Sequence, residues 1–213
     1  MYQSLINIGL KKYLDDYFCN KKWHFEQYLE NLNLFVAFKD DKQKKILKEK
    51  FSKKLNHLSI NDHIHELMVA CAFHPMGLFQ NETTDKSFDL IDNRIQIEIK
   101  TINASPNEIE RIKTLRLNSF GNSPPEDTEY ESRIRKKFKQ RIDKAKEQLK
   151  NHGIVYLIWD SDFGIGWDDR KKEIAQLLKK LISEEKQFSP NLEIIAVYFE
   201  DLRTMVSRPM CLK

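Results

Sequence analysis

The chain has 213 residues, enough for one sizeable hydrophobic core without covalent staples, and its 36 basic and 32 acidic side chains leave a formal charge of only +4, which permits nucleic-acid binding without demanding it. No stretch is apolar for long enough to span a bilayer, and the N-terminus lacks the basic start, apolar block and cleavage site of a secretion signal. Cys19, Cys71 and Cys211 are too few and too scattered for a disulfide framework or a zinc site, which points to reduced thiols and a cytoplasmic setting.

Residues 1 to about 58 read as helical, with Trp23, Phe25, Tyr28, Leu29, Leu32 and Phe35 at helical intervals. A lysine-rich stretch follows around a narrow stripe of Ile46, Leu47 and Phe51, a mixture that can cradle nucleic acid but is more often a helical core face with a solvated exterior. SINDHIHELMVACAFHPMG predicts a helix capped by Ser59 or Asn61 and ended by Pro75 and Gly77. Ile64, Leu67, Met68 and Cys71 share its buried face, and Glu66 lies near the edge of that face. A short strand over residues 77–80, a polar loop and the segment FDLIDNRIQIEIK come next. Residues 104–129, with Pro124-Pro125, read mostly as loop.

ESRIRKKFKQRIDKAKEQLKNHG is a strong helix, with Ile134, Phe138, Ile142, Ala145 and Leu149 as its buried stripe and Gly153 just past its end. IVYLIW is a continuous apolar strand of the kind covered on both faces. KKEIAQLLKKLISEE adds a helix and LEIIAVYFE a last strand. The order helix, three strands, helix, strand, helix, strand specifies an α/β domain over residues 59–213 with a central mixed sheet flanked by helices, preceded by a helical region over residues 1–58.

FDLIDNRIQIEIK carries the chemistry. With Asp92 and Asn93 as the loop of a hairpin, Asp89 faces Gln96 and Phe88 faces Ile97. Asp89, Gln96, Glu98 and Lys100 then project to one side, and Phe88, Leu90, Ile95, Ile97 and Ile99 to the other. Asp89 and Glu98 become diagonal neighbours, about 7–8 Å apart at the backbone. That is close enough for both carboxylates to share one hard divalent cation such as magnesium. Lys100 lies one step along the same face, where an ammonium can hold a water or offset charge on a phosphate. The arrangement requires that turn, or one of the same parity, because a one-residue slip separates the acids. The competing reading is a solvent-facing side with ordinary cross-strand charge pairs.

Acid, short spacing and acid-x-Lys on adjacent strands, after a Glu-bearing helix and before a basic one, resemble the PD-(D/E)xK superfamily of restriction endonuclease-like nucleases. The resemblance covers residues 59 to about 160, with Asp89 in S-F-D as the first acid and Glu98 and Lys100 in E-I-K-T as the second acid and the lysine. Phe88 stands where the motif has its nominal proline. Glu66 matches an additional acid that many members use to assist metal binding. The resemblance implies a restriction endonuclease-like core and a magnesium-dependent endonuclease, with manganese as a substitute metal and DNA as the expected partner. RNA as substrate, a non-catalytic nucleic-acid-binding protein of the same fold, and a homodimer all stay open.

Arg133, Lys136, Lys137 and Lys144 on the basic helix are the expected phosphate contacts, and the resemblance, in which this helix often brings a basic or amide residue near the site, implies Lys144 or Gln148 as that contributor. The alternative for that helix is a solvated face held by pairs along its surface. His63 and His65 do not share a helix face, so capping or surface roles are expected of them. DSDFGIGWDD, residues 160–169, lacks the spacing of a calcium loop and reads as a turn anchored by Trp167. The sequence holds no phosphate-binding loop of the P-loop type, dinucleotide fingerprint or serine-nucleophile elbow.

Overall fold

Where apolar residues recur every three to four positions the chain is helical, and where they run continuously it is extended. The computed structural model describes residues 2–12, 14, 25–52, 57–80, 88–102, 130–159 and 171–208. In chain order these form α1 (Gln3–Asn7), α2 (Phe25–Ala37), α3 (Asp41–Ser52), α4 (His57–Phe73), β1 (Leu78–Phe79), β2 (Leu90–Asp92), β3 (Ile95–Ile102), α5 (Tyr130–Leu149), β4 (Gly153–Trp159), α6 (Lys171–Phe188), β5 (Leu192–Tyr198) and α7 (Phe199–Val206). The five strands make one sheet in the order β1-β2-β3-β4-β5, antiparallel from β1 to β3 and parallel from β3 to β5. The expected α/β class and mixed sheet are therefore present. No helix among the described residues is long and apolar enough to cross a membrane.

Alternation along β4 explains why its sequence is apolar throughout. Tyr156 and Ile158 pack with α2, α3, α4 and α7, whereas Val155, Leu157 and Trp159 pack with α5 and α6. The first cluster joins Leu5, Leu29, Leu32, Leu47 and Phe51 to Leu67, Leu90 and Ile97, so the N-terminal helices share a core with the sheet. The open side of β1 is covered by a side chain: Gln43 of α3 accepts from the Phe79 N–H (2.8 Å) and donates to the Phe79 carbonyl (3.4 Å). An amide here does what a sixth strand would do.

Several boundaries differ from the expectation. Helix α4 begins at His57, so Ser59 and Asn61 lie inside it and do not cap it. The left-handed turn after α5 falls on Lys150 (φ 53°) and Asn151 (φ 61°) rather than on Gly153. Gly153 instead opens β4 at φ 136°, where a Cβ would stand 2.4 Å from the Gln96 carbonyl oxygen. Only glycine admits that approach of two backbones. Helix α7 was not anticipated, because its first residues continue the apolar run of β5. The loop expected at 104–129, the 160–169 turn with Trp167, and Trp23 lie outside the described residues.

The hairpin turn is also displaced by one residue. Pairing runs Leu90 with Ile97, Ile91 with Gln96 and Asp92 with Ile95, which leaves Asn93 (φ 47°) and Arg94 (φ 71°) as the two loop residues. Two successive left-handed residues are what a tight hairpin of this twist requires. Asp92 stays in the strand because its Oδ2 bonds to Nδ1 of His74 (2.9 Å) at the end of α4. The shift changes the register by two and therefore preserves parity.

Candidate active site

Asp89 is fixed from both sides before its carboxylate is considered. Its N–H donates to the Ile97 carbonyl (3.1 Å) and its carbonyl accepts from the Gln80 N–H (3.0 Å). Since Leu90 is the pairing partner of Ile97, two consecutive residues address one, and the strand steps out of register there as in a β-bulge. Phe88 accordingly packs against the α5 side of the sheet, not with Leu90 as expected, and Ile95 is exposed at the hairpin tip. The Asp89 side chain turns back into the ladder, its Oδ2 accepting from the Ile99 N–H (2.8 Å). Asp89 thus sits at the bulge against the Glu98–Ile99 stretch of β3, not in the regular diagonal pairing the sequence implied.

Beyond this step β3 continues through Ile102 without a further β2 partner among the described residues. The margin so formed admits side chains from both layers. Glu98 and Lys100 come from β3, Asp89 from the bulge, Glu66 from α4 and Lys50 from α3. Lys100 Nζ pairs with Glu98 Oε1, and Lys50 Nζ pairs with Glu66 Oε2 and lies 3.8 Å from Asp89 Oδ1. Glu66 Oε1 also meets Nδ1 of His63 at 3.4 Å. Glu98 is fully buried, and Asp89, Glu66 and Lys50 are nearly so. The structure thus brings together all four expected residues: Glu66, Asp89, Glu98 and Lys100.

Lys50 is the member that sequence reading overlooked. Successive helix residues turn by about 100°, so Ile46, Lys50, Gln43, Leu47 and Phe51 fall in that angular order within one arc of α3. A lysine and a glutamine in the middle of an apolar arc were a visible signal, hidden by the many solvent-facing lysines of the same helix. His65 was misjudged as well. It is buried, with Nδ1 on the Thr101 hydroxyl (2.9 Å) and its ring against Phe199 (4.9 Å). His63 packs edge-on to Phe51 and touches Glu66, so neither histidine is a surface group.

Burial and mutual repulsion shape the acidity of the cluster. Removal from water, with the charges of Glu66 and Glu98 close by, pushes the Asp89 carboxyl well above its ordinary range against the pull of Lys50 and Lys100. Burial likewise raises Glu98, countered chiefly by Lys100. For Glu66 burial acts in the same upward direction, but Lys50 and His63 prevail and hold the carboxyl down at about 2. Two of the three acids therefore resist ionisation on one small surface. Such frustration is typical of sites that take a cation or perform acid–base chemistry.

The donor set fits a hard divalent cation held by few protein groups. Glu98 Oε2 is buried without a hydrogen-bond partner among the described residues, and with Asp89 Oδ2 committed to the Ile99 N–H it is Oδ1, 3.8 Å from Lys50 Nζ, that is left to face a cation. Among the described residues no group of three or more His, Cys, Asp or Glu side chains is arranged to hold a metal. Two carboxylates, with waters and substrate oxygens completing the shell, are within the range magnesium uses.

The basic helix takes a different position. On α5, Arg133, Lys136, Lys137 and Lys144 lie within one arc of about 100°, on the side away from Ile134, Phe138, Ile142, Ala145 and Leu149, which bury against the sheet and α6. Lys136 and Lys144 are exposed, whereas Arg133 and Lys137 are half-buried. On the same helix Arg135 pairs with Glu131 (2.7 Å) and Lys146 with Glu185 of α6. Gln148 is half-buried on the flank of the stripe.

The chain matches no protein-family model, no curated protein and no solved structure.

Proposed function

We propose that the protein is a metal-dependent nuclease of the restriction endonuclease-like class, most simply a DNA endonuclease. The observation that carries this reading is the convergence of Asp89, Glu98 and Lys100 at one margin of the sheet, with a buried Glu98 oxygen left unpaired among the described residues. The helix, three antiparallel strands, helix, strand order of that class is also the order of α4 to β4.

In this reading Asp89 and Glu98 hold magnesium, or manganese in its place. The cation, when bound, supplies a Lewis acid that lowers the cost of forming hydroxide and offsets charge on the phosphate. The Asp89 backbone bonds and the Ile99 N–H fix one carboxylate without induced movement. Lys100, aligned by Glu98, holds the attacking water or faces the phosphate oxygens as charge builds on them. The water oxygen bonds to phosphorus, the ester P–O bond breaks, and the alcohol leaves with a proton. Lys136 and Lys144 on the outer face of α5 would meet the backbone of a long nucleic acid away from the cleaved bond.

Incubation of purified protein with supercoiled and linear DNA, with magnesium or with chelator, tests the reading. Cleavage is expected only with the metal, and Lys100→Ala is expected to reduce it by roughly 10²–10³-fold. Salt-sensitive binding without cleavage under any divalent metal would instead indicate a binding protein of the same fold. Preference for structured RNA in the same assay would move the substrate class to RNA.

A further inference from the structure

Glu66 was expected to assist the metal, but its surroundings assign it a different partner. Its Oε2 is ion-paired with Lys50 and its Oε1 faces Nδ1 of His63 at 3.4 Å, so both oxygens are engaged within the protein. Lys50 is as deeply buried as Glu66, and its place in the middle of the apolar arc of α3 means that it cannot swing to solvent without unpacking Leu47 and Phe51. Its ammonium also stands 3.8 Å from Asp89 Oδ1. A divalent cation drawn between Glu66 and Asp89 would have to lie beside that ammonium, and like charges at such distance in a buried setting repel strongly. On Glu98 it is Oε1 that Lys100 occupies, which leaves Oε2, buried and without a hydrogen-bond partner among the described residues, as the oxygen able to face a cation. The absence of any three-donor group among those residues agrees with this division.

We propose that Lys50 is a resident cation of the site. It takes Glu66 out of the ligand set, so that Asp89 and Glu98 alone carry a single divalent ion, and it supplies from the protein the positive charge that a second ion would otherwise bring. This inference rests on the nuclease reading for the identity of the site. It differs in making Lys50 a positioning residue and Glu66 its counter-ion.

Calorimetric titration of the metal-free chain with Mn²⁺, followed in parallel by the shift in melting temperature, tests it without reference to cleavage. The unaltered protein is expected to take one ion per chain. Asp89→Asn and Glu98→Gln should each weaken binding by about tenfold or more. Lys50→Met should liberate Glu66 and either tighten binding by about tenfold or add a second ion. Because Lys50→Met alone strands a buried carboxylate and could unfold the chain, the double variant Lys50→Met/Glu66→Gln is the decisive one. It removes both charges, and one ion should still bind with affinity within about threefold of the unaltered protein. Two ions in the unaltered protein, or a double variant impaired as severely as Asp89→Asn, would overturn the proposal and leave the nuclease reading standing. Failure of the unaltered protein to bind any divalent ion would overturn both. One-ion binding with the expected variant pattern but no cleavage would support the role of Lys50 and sink the nuclease.

Discussion

Asp89 and Asp92 lie three residues apart on the same short strand and its approach, and each is drawn in among other polar groups, yet their surroundings are opposites. Asp92 accepts from Nδ1 of His74 (2.9 Å), and Nε2 of that ring meets the Tyr156 hydroxyl (2.9 Å). One tautomer satisfies all three groups: the hydroxyl donates to Nε2, and Nδ1–H donates to the carboxylate. Burial, with Glu193 and Asp92 nearby, pushes the Tyr156 hydroxyl up to about 12, so it remains a donor. Phe73 stacks on the tyrosine ring (5.2 Å) and closes the network. Around Asp89, by contrast, three carboxylates share two ammonium groups, and one buried oxygen has no partner among the described residues. A polar network whose groups are each matched holds a structure together, while one with surplus charge is held in place by the rest of the fold. The comparison separates the lock of the hairpin from its site.

The sharpest way to break this comparison is through stability. His74→Ala leaves the Asp92 carboxylate and the Tyr156 hydroxyl without their partner and opens a hole between α4 and β4. It should cost about 2–4 kcal/mol, read as a lower denaturant midpoint at unchanged slope. A loss below 1 kcal/mol would mean that the triad is decoration. Asp89→Asn should act in the opposite direction. The amide oxygen can still accept from the Ile99 N–H, one buried charge disappears, and the metal-free protein should gain about 1–2 kcal/mol while losing cleavage.

The pH dependence carries the same contrast with its sign. Asp89 and Glu98 bind protons more tightly folded than unfolded, so the stability they contribute is complete below the ordinary carboxylate range, about pH 4. It is lost as pH rises through their elevated folded values. Glu66, held at about 2, works the other way: its contribution is present above its ordinary range and lost as pH falls toward 2. Without divalent ions the melting temperature should therefore be higher in mild acid than at neutrality. That excess should vanish in the Asp89→Asn/Glu98→Gln double variant, and a flat profile in the parent protein would contradict the charge surplus. The smallest effect is a control on the hairpin tip. Arg94→Gly relieves a non-glycine residue at φ 71° and should add about 0.5 kcal/mol, measured by chemical denaturation, with cleavage unaltered.

Much of this architecture was legible because periodicity is a local property. The stripes Ile134–Phe138–Ile142–Ala145–Leu149 and Tyr28–Leu29–Leu32–Phe35 are buried as their spacing implied, and Glu98 and Lys100 share a face by strand parity, while a bulge that parity could not foresee brings Asp89 to them. What escaped depended on contacts distant in sequence. The hairpin turned at Asn93-Arg94 because His74 holds Asp92 in the strand. Lys50 came to lie beside Glu66 through the packing of α3 against α4, and α7 was invisible because Phe199 completes the apolar run of β5 before turning into a helix.

Helix α3 unites two of these features. Gln43 and Lys50 are seven residues apart, two turns of one helix face, and they reach the rim of β1 and the carboxylate margin respectively. A shortened chain beginning near residue 59 would therefore lose more than an appendage. It would expose an unpaired strand edge, ready to recruit other chains, and would leave Glu66 as an uncompensated anion inside the protein. Aggregation during expression, rather than mere loss of affinity, is the outcome to anticipate from such a truncation.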